Sequence, residues 1–349
     1  MSKNKYAFTA IVLIIWIASF FLITDWAGID FAGTLFKINP LAFILGYLFY
    51  ALAVLACISI LYRCLKAMNI KPSLRAVSKA WIFGSFIDNI VPTITPLGEA
   101  SMAYFLEKFY RISYVNSLAA IGMYVSSWGL ATSFFSIISL LLIQAFVGLQ
   151  NMISGTAIVL IVIAVAIFVL LTTGWFLLIT NRRIVERIVC KLVKFYNRVY
   201  NLVKSGKVSY EYCVYKVEFD KTYESLELFM KNKKQMTLFT LLFGVPLVAH
   251  ALCLYFILLG FGVNISFFSV LLVHIISSVA GLITFIPAGM GVYEVVSSST
   301  LGLTASSEVA VAAIFLYRLI FVWTTNIIGG LVGVLQGIEH PTRMKHEAG

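Results

Sequence analysis

Charge is scarce in this chain: Asp, Glu, Lys and Arg make up only 12% of the 349 residues, about half the share usual in soluble domains. A soluble globular domain is excluded, because one core cannot hide the apolar side chains that take the place of that charge. Proline is sparse at 7, and the 23 Gly fall without a period, which excludes collagen-like and Pro-rich disordered chains. The five Cys, at 57, 64, 190, 213 and 253, form no CxxC pair and no zinc-like spacing with His. An odd count argues against a disulfide framework, so they read as free thiols. No G-x-x-x-x-G-K-[ST] loop is present, which removes the ATP-driven pump. No metal site, cofactor site or nucleic-acid-reading motif is visible.

What is abundant is apolar surface. Hydrophobic residues reach 61% and aromatics 15%, with a mean hydropathy of +0.96. The expected fold class is an all-α polytopic membrane protein forming a single integral membrane domain over residues 1–349. A spanning helix needs about 20 apolar residues, and runs near 7–24, 39–62, 114–146, 153–180, 236–260 and 307–336 qualify. These give about six full spans. The first run follows Lys3 and Lys5, lacks a small-x-small cleavage site, and ends at Asp25-Trp26, so a retained span is expected rather than a signal peptide. Two more apolar stretches, 80–106 and 268–302, are interrupted by Pro and Gly. Neither residue continues a helical ladder without help, and both stretches read as re-entrant helical hairpins.

Basic residues set the orientation. With the N-terminus in the cytoplasm and each hairpin returning to its own side, Arg63, Lys66, Lys71, Arg75, Lys79, Lys108, Arg111, Arg343 and Lys345 lie inside. So do the basic residues from Arg182 to Lys234. Only Lys37 falls outside, and Arg318 falls within a span. The expected location is the cell membrane, with both termini cytoplasmic.

An offset of 191 residues places Thr93-Ile94-Thr95-Pro96-Leu97-Gly98 on Thr284-Phe285-Ile286-Pro287-Ala288-Gly289, giving T-x-x-P-x-G twice. Repeat 1 then covers about 80–146 and repeat 2 about 268–336. By the topology above they run in opposite senses, as an inverted repeat, the usual sequence pointer to an alternating-access site. Pro and Gly that merely kink two ordinary spans are the alternative. Between the repeats, 181–235 carries Ile184, Ile188, Leu192, Tyr196, Val199 and Val203 at helical spacing, with Arg and Lys on the other faces. This reads as a basic amphipathic cytoplasmic segment against anionic membrane lipid, or as a solvated loop that fixes topology. The net charge of +11 fits lipid headgroups better than nucleic acid.

Charges inside a membrane are costly and normally face a cavity or a partner. Here they are Asp88, Glu99, Glu294 and Arg318. Glu99 follows Pro96 and Gly98; Glu294 follows Pro287, Gly289 and Gly291. Each carboxylate is expected in the first turns of a half-helix, favoured by the dipole, with simple helix capping as the rival reading. The 191 offset puts Glu294 on Ala103, one turn beyond Glu99 and on the same face. Arg318 needs an anion: Glu294 or a lipid phosphate, which guanidinium grips in a forked geometry. Asp88-Asn89 binds a cation or caps a broken helix, and the sequence does not choose. His250 and His274 read as packing histidines.

The strings Pro96-Leu97-Gly98-Glu99 with Ala103-Tyr104-Phe105-Leu106, and Pro287-Ala288-Gly289-Met290-Gly291-Val292-Tyr293-Glu294 with Arg318 in the last span, resemble the transmembrane region of lysylphosphatidylglycerol synthases and their stand-alone flippase-like relatives. The resemblance covers nearly the whole chain, and P-x-G-x-G-x-x-E is its most specific part. It implies a bacterial or archaeal protein that moves a lipid across the bilayer. Two departures stand out: the second motif commonly reads Pro-Gly-Gly where this chain has Pro287-Ala288-Gly289, and Ser127 stands where the first repeat often has Arg. The soluble aminoacyl-transferring domain is not among these residues, so the resemblance implies no synthase activity and leaves a separate lipid-modifying enzyme as a candidate partner. The expected substrate is a phospholipid or polyprenyl-phosphate-type lipid, with its phosphate near Arg318. Asp88, Asn89, Glu99 and Glu294 would line the site together with Pro96, Gly98, Pro287, Gly289 and Gly291. A membrane-embedded head-group or glycosyl transferase and a secondary transporter of a soluble solute are the competing classes.

Overall fold

A computed structural model of the chain describes residues 31–90, 97–146, 232–284, 286–302 and 304–339, together with scattered positions between 162 and 227. Among the described residues all regular structure is helical. A short helix α1 (Phe31–Leu35) leads to α2 (Pro40–Ala67), which begins where Asn39 caps it: the Asn39 side chain accepts the Leu41 N–H at 2.9 Å, and Pro40 stands in the first turn, where a missing N–H costs nothing. Beyond Ala67 the chain turns through Asn69, at φ 57°. Along α2, Leu41, Ile44, Leu48, Leu52 and Leu55 recur at helical spacing and are all exposed. That is the face a bilayer would cover.

Next come α3 (Leu74–Ile90), α4 (Leu97–Tyr110) and α5 (Tyr114–Phe146). The second part holds α6 (Lys233–Leu242), α7 (Gly244–Gly260), α8 (Phe267–Ile283), a 3-10 turn at Pro287–Gly289, α9 (Val292–Leu301), α10 (Ser307–Arg318), a π-helical turn at Leu319–Trp323 and α11 (Thr324–Glu339).

Among the described residues, four helices are long and apolar enough to cross a membrane: Pro40–Ala67, Tyr114–Leu141, Lys233–Gly260 and Ser307–Gln336. They coincide with four of the six expected spans. The expected span at 7–24 lies outside the described residues, as does most of the one at 153–180 and of the basic segment 181–235. The protein is an all-α membrane protein, as its composition required.

Both interrupted stretches divide into two shorter helices. In the first, α3 ends at Ile90 and α4 starts at Leu97; Pro96 lies outside the described residues. The two helices pack closely enough that a Cβ at Gly84 would meet the Gly98 carbonyl oxygen at 2.7 Å. In the second, α8 stops at Ile283 and the chain passes through left-handed backbone at Ala288 (φ 50°), Gly289 (φ 63°) and Gly291 (φ 82°) before α9. Only glycine adopts such angles freely. Gly289 is needed for a second reason, since a Cβ there would lie 2.8 Å from the Gly281 Cα.

Among the described residues, burial separates two large cores that share α2, besides a small cluster of Ala251, Leu271, Ile275 and Val279 between α7 and α8. One joins the C-terminal half of α2 to α3, α4 and the start of α5, around Leu61, Leu65, Val77, Phe105 and Leu106. The other joins Tyr50 of α2 to α7, α8, α9 and α10, around Leu254, Ile257, Tyr317 and Trp323. They are bridged where α3 lies on α11: a Cβ at Gly329 would overlap Phe86 and the Ile82 carbonyl, one at Gly333 would lie 3.0 Å from the Phe83 ring, and Asn89 Nδ2 donates to Asn326 Oδ1 at 3.0 Å. Glycines at this spacing let two helices approach closely without a side chain between them. The end of α3 also packs against the Pro287–Gly289 turn.

Candidate functional site: two broken-helix tips and a buried guanidinium

Arg318 ends α10 roughly 17 Å along a continuous helical path from Ser307. Its side chain is 2% exposed and Glu294 is 7% exposed. The pair is formed: Arg318 Nε donates to Glu294 Oε1 at 2.8 Å. Arg318 Nη2 donates to the Ala288 carbonyl at 2.7 Å, and the guanidinium lies 4.9 Å above the centre of the Tyr293 ring. One side chain therefore fastens the long helix to the break. That carbonyl belongs to the residue held at φ 50° and ψ 16°, a conformation in which L residues are strained. The Pro-Gly-Gly form of the motif would place glycine there without strain.

Glu294 is the third residue of α9 and closes its own helix end, its Oε2 accepting the Gly291 N–H at 2.8 Å. The expected capping role and the expected ion pair are thus made by one carboxylate, with one oxygen for each. Glu99 is likewise the third residue of α4. The helix starts therefore align Glu294 with Glu99 itself. The 191 offset had set Glu294 against Ala103, one turn farther on. The difference arises because α9 starts at Val292, well beyond Pro287, whereas α4 starts at Leu97, directly after Pro96, which shifts the register between motif and helix.

At the first tip the cap comes from the neighbouring helix. Asp88 Oδ1, near the end of α3, accepts the Gly98 N–H at 2.7 Å. A Cβ on Gly98 would overlap the Asp88 carboxylate, so glycine is what permits that approach. Asp88 and Glu99 are within electrostatic reach of each other, and among the described residues neither pairs with Lys or Arg. Asn89 makes the bond to Asn326 described above, so it joins the α3–α11 seam. Pro287 opens the 3-10 turn and Gly289 closes it, with the Gly289 N–H donating to the Ile286 carbonyl at 2.8 Å. Ser127 is 1% exposed, and its hydroxyl finds no hydrogen-bond partner among the described residues.

Sequence reasoning missed two features. Directly after Arg318 the helix widens into the π turn, where the Thr324 N–H reaches the Leu319 carbonyl. Such turns are rare and often lie at functional sites; no local composition signals this one. The second is a belt of buried polar aromatics. His274 Nδ1 lies 3.1 Å from the Tyr293 hydroxyl and 3.3 Å from that of Tyr317, and the His250 ring sits 5.7 Å from the His274 ring. Tyr50 and Thr325 join by their hydroxyls. The histidines do pack helix on helix, as expected, and His274 also satisfies two tyrosines. In the first half, Trp81 Nε1 donates to the Tyr124 hydroxyl at 2.8 Å. That bond ties α3 to α5 as the His274–Tyr317 bond ties α8 to α10.

Fold and site define a helical membrane protein in which two short helix pairs, each broken at a Pro/Gly segment, accompany long spans, with a buried Arg–Glu pair at one break. Residues 6–329 match the family model described as the lysylphosphatidylglycerol synthase TM region, and the chain belongs to that family. It is similar to a UPF0104 membrane protein of Pyrococcus horikoshii, 26% identical over 332 residues that cover 92% of this chain and 95% of that one. It is also similar to a UPF0104 membrane protein of Methanocaldococcus jannaschii, 25% identical over 342 residues covering 94% of this chain and 95% of the relative.

Proposed function

We propose that the protein is a lipid translocase that moves a phospholipid or polyprenyl-phosphate-type lipid between leaflets. The observation that carries this reading is the buried guanidinium of Arg318, bonded at once to Glu294 and to the Ala288 carbonyl of a helix break. A cation at that depth is expensive and is kept where it meets an anion. Tied to a break, it couples that anion to a segment able to move. The lipid phosphate rests against Arg318 and the N–H groups at the α9 end. A cationic headgroup portion or a coupling proton is taken by the carboxylates at the other tip, Asp88 and Glu99, with Asn89 beside them, while the acyl or prenyl tails stay in the bilayer.

In the same reading, α3–α4 and α8–α9 are re-entrant hairpins that, with the long helices after them, α5 and α10–α11, form two repeats of opposite sense. Their shared element order, the matched Glu99 and Glu294, and the equivalent Trp81–Tyr124 and His274–Tyr317 bonds support the repeat. The near absence of basic residues from one side supports the inversion, and with it cytoplasmic termini in the cell membrane. Anionic lipids gather at the basic segment 181–235, and a separate lipid-modifying enzyme supplies or consumes the cargo. The test is purified protein in liposomes carrying a fluorescent phospholipid: the lipid should change leaflets without chemical turnover, and Arg318→Ala should abolish the exchange. Product formation would assign a transferase, and solute counterflow a soluble-solute transporter.

A further inference from the structure

We infer that Glu294 is an internal competitor for the anion that Arg318 binds, and so sets how tightly a phosphate-bearing substrate is held. The inference rests on the reading of Arg318 as the phosphate contact. Glu294 Oε1 accepts from Arg318 Nε and Oε2 from the Gly291 N–H, each at 2.8 Å. A guanidinium N–H and a helix-end N–H are the two donors that most often hold phosphate oxygens. The carboxylate therefore sits where a phosphate would sit, and holds both donors that it would use.

Charge makes the two anions alternatives. With Glu294 against Arg318 the buried pair is neutral. Adding a phosphate beside an ionised Glu294 would leave net negative charge in a nearly water-free site, which is strongly unfavourable. The phosphate must enter as Glu294 leaves. The third contact need not break during the exchange, because Arg318 holds the Ala288 carbonyl through Nη2, a different nitrogen from the one facing Glu294. Exchange of one anion for another is close to balanced, whereas binding to a bare buried guanidinium would be tight and slow to reverse. A carrier has to release its cargo, and an internal competitor provides for that.

The test uses the full chain in neutral detergent, titrated with short-chain phosphatidic acid, with diacylglycerol as the phosphate-free control and inorganic phosphate as a second probe. Glu294→Gln keeps the shape of the side chain and removes its charge. It should bind phosphatidic acid at least tenfold more tightly than wild type and translocate lipid more slowly in liposomes, while Arg318→Gln should bind none. Equal or weaker binding by Glu294→Gln, with binding still lost in Arg318→Gln, would overturn the competitor role and leave the phosphate reading standing. Unchanged binding by Arg318→Gln would bring down the phosphate reading itself. Should Glu294→Gln be unstable alone, heat unfolding gives the same decision: phosphatidic acid should raise its midpoint more than that of wild type, and an equal rise refutes the exchange. The same tightening with inorganic phosphate would support exchange and assign the anion to a soluble source.

Discussion

Gly98→Ala probes the first helix tip, where the chain has no room for a single methyl group. The new Cβ would fall on the Asp88 carboxylate, which accepts the Gly98 N–H at 2.7 Å. Asp88 has to withdraw, which leaves the buried Gly98 N–H without its acceptor at a cost of about 1–3 kcal/mol. Crowding adds about 1–3 kcal/mol. Alanine returns up to ~1 kcal/mol through its higher helix propensity at the second position of α4. The net loss is about 1–6 kcal/mol. Asp88→Ala alone should cost about 1–3 kcal/mol, because it leaves the Gly98 N–H without its acceptor. In the double mutant the overlap no longer exists while the propensity gain remains, so it should be no less stable than Asp88→Ala. The coupling between the two sites is then about 1 kcal/mol or more, above the scatter of independent sites. Thermal unfolding of the four proteins in one detergent measures it. Simple additivity, or wild-type stability in Gly98→Ala, would refute the claim that Asp88 caps α4.

Arg318→Ala should lower stability by about 3–5 kcal/mol by leaving Glu294 buried without its cation, if the pair is chiefly structural. Removing both residues should then restore most of the loss, whereas a functional Arg318 predicts lost translocation that the double change does not rescue; unfolding and liposome assays on the same four proteins separate these. Ala288→Gly should hold or raise stability by up to about 1 kcal/mol, since relief of ~1–2 kcal/mol of left-handed strain outweighs the greater freedom of unfolded glycine. A clear drop in unfolding temperature would contradict the backbone angle at Ala288. Cysteines introduced at 205–215 should resist a membrane-impermeant reagent applied to intact cells, and ready labelling would reverse the proposed orientation.

Much of this architecture was already legible in the residue order. Hydropathy is a local property summed along the chain, so the spans at Pro40–Ala67, Tyr114–Leu141, Lys233–Gly260 and Ser307–Gln336 could be read from composition and length. The breaks could be read as well, because the missing N–H of proline and the permitted left-handed angles of glycine act within one or two residues. The Arg318–Glu294 pair was one of the two partnerships the sequence offered, the other being a lipid phosphate, since a buried cation must have an anion.

Partnership across the fold was a different matter. That Asp88 accepts the Gly98 N–H at the start of α4, that Arg318 also holds the Ala288 carbonyl, that His274 lies within reach of two tyrosine hydroxyls and that Asn89 meets Asn326 all depend on how separate helices pack against one another. The alignment of Glu294 with Glu99 depended on how far beyond its proline each helix starts. Residue order alone established which segments form long apolar helices, where the interrupted ones break and which charges need a partner, because those follow from local hydropathy and backbone limits. Packing chose among the partners open to each charge, because a hydrogen bond acts over a short range and the contacts between helices decide which groups come within it.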